Sequence, residues 1–99
     1  MPTFIGKEIN GFFEGIIGYT YKEVDEILIP TEEYNNKLKE YQEYADSENQ
    51  TIKEAYESLG FDNTWEEEKK QLMISCMINS KKLKTIHNIN DGSFYYYLV

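Results

Sequence analysis

Between residues 31 and 45 apolar side chains return at steps of four, three and four, as Tyr34, Leu38, Tyr41 and Ala45. That period belongs to one face of an α-helix. The polar faces carry Glu32, Glu33, Glu40, Glu43 and Asp46, with Glu33–Lys37 and Lys39–Glu43 spaced for weak pairing. Thr31, directly after Pro30, is placed to cap this helix. Ser47-Glu48-Asn49-Gln50 and Thr51 to Glu54 both match the capping-box pattern, in which hydroxyl and carboxylate each take a backbone N–H at the helix start. Ile52, Tyr56 and Leu59 then line one side of a short second helix. Gly60 suits its left-handed cap, and Phe61 can fold back towards Tyr56. Thr64-Trp65-Glu66-Glu67 starts a third helix, whose early glutamates favour the positive end of its dipole. It is expected to run to about Asn79, polar at first apart from Trp65 and then apolar nearly all round over residues 72–78, so that its end becomes enclosed.

At the C-terminus the period changes to two. Asn90-Asp91-Gly92-Ser93 contains the Asp-Gly pair favoured in a two-residue hairpin turn. That turn predicts Ile89 opposite Phe94, His87 opposite Tyr96 and Thr85 opposite Leu98. On the other face it sets Asn88 against Tyr95, Ile86 against Tyr97 and Lys84 against Val99. The N-terminal third is divided. Ile5, Ile9, Phe12, Phe13, Ile16 and Ile17 form a helical stripe, yet Gly6, Gly11, Gly15 and Gly18 interrupt it at about 1 kcal/mol each relative to alanine. The stripe favours a helix over residues 5–17. Val24 and Ile27-Leu28-Ile29 favour a strand ending near Ile29, although Thr20 and Glu23 could instead form a capping box. The expected fold is therefore α+β: three central helices packed with a C-terminal β-hairpin, with an N-terminal segment of helix and/or strand.

Ninety-nine residues suit one domain spanning 1–99. The single cysteine, Cys76, excludes an internal disulfide and a cysteine-rich zinc site, and its apolar neighbours read as a buried thiol. The start of the chain lacks the basic and apolar regions of a signal peptide, and no apolar run approaches the ~20 residues of a membrane span. A cytoplasmic setting follows as an expectation. The absence of arginine and the wealth of lysine, asparagine, isoleucine and tyrosine match an AT-rich coding sequence, as in a low-GC bacterium or its phage.

Charge changes the picture more. The net charge is −8, and residues 31–63, with three lysines and nine acids, hold −6 of it. Such a segment repels nucleic acid and attracts basic surfaces. Without arginine there is no planar fork for clamping phosphate.

Catalytic chemistry finds little support. His87, the only histidine, lies on the expected hairpin, and a thiol in the setting of Cys76 is a poor nucleophile. The oxygen ligands a calcium loop needs before Gly92 are missing at two of three places. The glycine-rich stretch 11–18 has the wrong spacing for a phosphate loop, and no lysine follows it. No catalytic residue, cofactor or metal ligand is assigned, and the chain reads as non-enzymatic.

The first functional reading is an acidic inhibitor or adaptor that docks on a basic, nucleic-acid-binding surface of a partner protein. Its candidate contacts are Glu32, Glu33, Glu40, Glu43, Asp46, Glu48, Glu54 and Glu57, whose carboxylates could occupy phosphate positions. Tyr44 joins them, with whichever of Tyr95 and Tyr97 the core does not claim, because exposed tyrosine is enriched where proteins meet. At the level of class, without a shared motif, this resembles phage-encoded anti-defence proteins of the anti-CRISPR kind. A second reading is a winged-helix-like regulator, with Lys81, Lys82 and Lys84 leading into the hairpin. A third is a self-associating structural protein that forms a homodimer through its tyrosine face.

Overall fold

The computed structural model describes residues 2–9, 12–88 and 92–99. The chain is α+β, with three helices and a C-terminal two-stranded antiparallel sheet. In order the elements are β1 (Thr3–Ile9), β2 (Phe12–Gly18), a 3-10 turn (Glu23–Glu26), α1 (Glu32–Ser47), α2 (Ile52–Glu57), α3 (Trp65–Asn79), β3 (Leu83–Asn88) and β4 (Ser93–Leu98). They gather into two compact units: a sheet unit of Met1–Leu28 with Ile78–Val99, and a helical unit of Ile29–Met77.

In the helical unit local signals set the boundaries. Thr31 Oγ1 accepts the Tyr34 N–H at 3.2 Å and caps α1, whose Tyr34 and Ala45 are buried. Of the two capping-box patterns before α2, Thr51–Glu54 is the one used, with reciprocal bonds of 3.1 and 3.2 Å. Ser47 instead closes α1, its hydroxyl donating to the Tyr44 carbonyl at 2.6 Å. Gly60 takes φ +81°, the left-handed conformation that glycine reaches without a Cβ clash, and Phe61 stacks on Tyr56 at 5.4 Å. Thr64 Oγ1 accepts the Glu67 N–H ahead of α3. Two expectations need correction. Leu59 falls beyond α2 and is 50% exposed instead of lining the inner side. The end of α3 is enclosed on one side only: Ile74, Cys76 and Met77 are buried, while Ser75 and Ile78 face solvent.

The sheet unit departs further from the sequence reading. In place of a helix, Thr3–Ile9 and Phe12–Gly18 pair as antiparallel strands, with Phe4 opposite Ile17, Ile5 opposite Ile16 and Gly6 opposite Gly15, and Asn10 and Gly11 lie outside the described residues. The apolar stripe was ambiguous because its isoleucines also suit a pleated surface, where β-branched side chains pack well. Interior glycines weigh against the helix, and close packing uses two of them. The Phe4 ring lies on Gly15, and a methyl built on Gly18 would meet Ile5 Cδ1 at 2.7 Å and Tyr95 Cβ at 3.0 Å. No strand ends at Ile29. Thr20 and Glu23 exchange bonds of 2.9 and 3.2 Å, the capping-box alternative, and start the 3-10 turn that carries buried Val24.

The β3–β4 hairpin is present in a register two residues from the expected one: His87 opposes Phe94, Ile86 opposes Tyr95, Thr85 opposes Tyr96 and Leu83 opposes Leu98. Ile89 and the Asp91 turn position lie outside the described residues. A shift of two, unlike a shift of one, leaves every side chain on its expected face. Tyr19 and Tyr96 join the two hairpins through a pair of 2.7 Å backbone bonds, so β4 lies between β3 and the end of β2.

The pairings sort the described side chains into two sheet faces. Ile5, Ile16, Tyr95, Ile86 and Tyr97 share one with Gly18, and Tyr95 and Gly18 are buried there. The opposite face carries the row Phe4, Ile17, Leu98 and Leu83, then Tyr19, Tyr96 and Thr85, then Phe94 stacked on His87 at 4.5 Å. Leu83 is buried, but Phe4, Ile17, Leu98 and Phe94 are 49–65% exposed.

Candidate binding surface

Twelve acids and five lysines fall in the helical unit, a net charge of −7 out of −8 for the chain. On α1, helical spacing splits the acids into two rows. Glu32, Glu43 and Asp46 point away from the buried face, and Asp46 accepts a 2.9 Å bond from Gln42. Glu33, Lys37, Glu40 and Tyr44 recur at steps of four, three and four, nearer the edge of that face. Glu48 follows the last turn of α1, and Glu54 and Glu57 lie on α2. All eight acidic candidates are exposed except the half-buried Glu33. Glu54 also has a structural task, since its carboxylate accepts the Thr51 N–H. The Thr51 backbone and then its hydroxyl hold the Glu54 carboxyl below the usual carboxylate range. Glu66 is lowered too, by its own backbone N–H and then by Lys53 at 3.3 Å. That pair is mostly exposed and stabilises little.

The second row borders a groove of 380 Å³ lined by Lys37, Glu40, Tyr41, Tyr44, Leu59 and Leu72. Tyr44 is 42% and Leu59 50% exposed, so the groove offers apolar surface beside carboxylates. Tyr41 ties this groove to an aromatic cluster. Trp65 is 4% exposed, with Tyr41 at 5.2 Å and Tyr56 at 5.5 Å, geometries that add to simple area burial. Glu68 accepts from Tyr56 Oη at 3.2 Å, with Tyr41 Oη and Asn63 Nδ2 at 3.5 Å, and so links α1, α2 and the loop to α3. Burial pushes both phenols upward, with the Glu68 charge next for Tyr41 and a smaller opposing effect of Asn63 at Tyr56.

The structure thus brings Glu40 and Tyr44 together with Leu59 at the groove, while Glu33 begins the same row of α1 and Glu32, Glu43 and Asp46 occupy a neighbouring face. Tyr95 belongs to the sheet unit and is 7% exposed, so the core claims it, and Tyr97 is left half-buried. Sequence reasoning missed Leu59 as a surface residue and Glu68 altogether. A signal for Glu68 was present, because Trp65, Glu68, Leu72 and Cys76 form one helical row at steps of three, four and four, which sets this glutamate on the inward side.

Cys76 is 1% exposed, and burial, reinforced by Glu33, pushes its thiol up, an unreactive setting. Among the described residues no group of three His, Cys, Asp or Glu side chains could hold a metal ion, and no helix is long and apolar enough to cross a membrane. Comparison with protein-family models, curated proteins and solved structures gives no match.

Proposed function

We propose that this protein is a non-enzymatic binding module whose helical unit docks on a basic, nucleic-acid-binding surface of a partner protein, as an inhibitor or adaptor. The observation that carries this reading is the segregation of charge: −7 of −8 lies on the helical unit, whose exposed carboxylates include Glu40 at the edge of a groove that also presents Tyr44 and Leu59. Carboxylates steer and orient a basic partner, while a partly exposed aromatic beside an aliphatic supplies the contact that persists after encounter. A small acidic protein acting this way in the cytoplasm belongs with phage anti-defence proteins of the anti-CRISPR kind.

The test is capture of the partner from a nuclease-treated low-GC bacterial lysate, followed by binding measurements with the purified partner. Joint neutralisation by Glu40→Gln, Glu43→Gln, Asp46→Asn and Glu57→Gln should weaken binding at least about tenfold and flatten its salt dependence. Equal affinity and an unchanged salt response in the folded variant would sink the reading.

The winged-helix alternative keeps one favourable observation: three helices precede a hairpin, and Lys81, Lys82 and Lys84 are all exposed where it begins. It requires duplex DNA retention at low salt that falls steeply as salt rises. Lack of retention at low salt ends it.

A further inference from the structure

We propose that the open face of the sheet unit is a self-association surface whose occupant is a second copy of this chain. Phe4, Ile17, Leu98 and Phe94 are 60%, 49%, 53% and 65% exposed on that face, with half-buried Tyr19 and Tyr96 among them. Their exposed parts, with Thr85 and His87, present about 700 Å², close to the roughly 800 Å² per partner of a standard interface. Four large apolar side chains left open on one side of a sheet form a contiguous patch, unlike isolated exposed leucines.

Charge identifies the occupant. A two-fold dimer brings a patch against its own copy, so a charge near the axis meets its like and a patch of one sign repels itself. From Phe4 and Ile17 across to Thr85 and His87, the described side chains of this face include no lysine, aspartate or glutamate, although 28% of the chain is charged. The sheet unit carries only −1 in total. The helical unit, at −7, would repel its own copy. This surface is separate from the acidic one proposed above, and the two respond to salt in opposite directions. Docking of carboxylates on a basic partner weakens as salt rises. Self-association through these apolar side chains strengthens, because salt screens the repulsion between two copies of net charge −8.

Sedimentation of the purified full chain from about 5 to about 500 µM covers the affinities an interface of this size supports. The expected result is a concentration-dependent rise from 11.7 kDa to twice that mass, larger at high salt. Ile17→Lys and Phe94→Lys, at exposed positions, should each weaken the dimer at least about tenfold. The four-site acid neutralisation should not weaken it. If Ile17→Lys loses its folded circular dichroism spectrum, Phe94→Lys alone decides the point. A monomer throughout the range, a mass that grows beyond two copies, or a dimer indifferent to the folded lysine variant overturns the proposal.

Discussion

The helical and sheet units differ in where their instructions lie along the chain. In the helical unit each helix start is set by a side chain within a few residues, Thr31 for α1, Thr51 with Glu54 for α2 and Thr64 for α3, and Gly60 turns the chain just after α2. In the sheet unit the decisive contacts join distant positions, as in the Tyr19–Tyr96 bridge and the approach of Gly18 to Tyr95. The units also divide the surface chemistry, one collecting nearly all the net charge and the other leaving Phe4, Ile17, Leu98 and Phe94 exposed on one sheet face.

The largest effect expected is in the helical unit. Trp65→Ala removes the ring that Tyr41 and Tyr56 pack against and should cost about 3–5 kcal/mol, read from urea unfolding followed by far-ultraviolet circular dichroism. A loss below about 1 kcal/mol would mean that this cluster does not organise the unit.

The sheet unit offers an internal control in two glycines. Gly18→Ala places a methyl against Ile5 and the Tyr95 Cβ on the buried face, so about 1–3 kcal/mol should be lost through overpacking. Gly15→Ala meets the Phe4 ring first, a side chain 60% exposed, so its loss should be the smaller of the two, below about 1 kcal/mol. Thermal melts of the two variants rank them, and the reverse order would exchange the buried and open faces.

The smallest effect concerns pH. In the folded chain the Glu54 carboxyl is lowered by Thr51, and unfolding returns it towards about 4.3. Its contribution is therefore complete above that unfolded value and is lost as pH falls through the lower folded value. Glu66 adds a contribution of the same sign. Glu54→Gln retains a side chain able to accept the Thr51 N–H but does not ionise, so melting temperatures measured down the acid limb should fall less steeply. An identical acid limb would show that the cap does not couple to protonation.

Legibility in the sequence followed the range of the interactions. The three helices, the Thr51–Glu54 box, the Gly60 stop and the end of α3 at Asn79 were all readable, because i to i+4 spacing and capping act within one turn. The side-chain faces of the C-terminal hairpin were readable too, although its register was not. Period-two alternation identifies faces, while register depends on how many residues the connection takes. The N-terminal hairpin was missed because six apolar residues among four glycines satisfy both periods locally. Of the candidate surface, the acids were visible as a charge run, but the groove was not, since Leu59 and Leu72 come together with α1 only after folding.

The sequence by itself determined the α+β class, three capped helices, the concentration of acid in the middle of the chain and the apolar setting of Cys76. Each follows from composition or from neighbours a few bonds away. Only the tertiary structure decided that Thr3–Ile9 and Phe12–Gly18 pair as strands, that Tyr95 is buried while Phe94 is open, and that Tyr44 and Leu59 share a groove. Those outcomes depend on which distant backbone groups complete a hydrogen-bond ladder and which side chains meet across it, and local propensity carries no information about either.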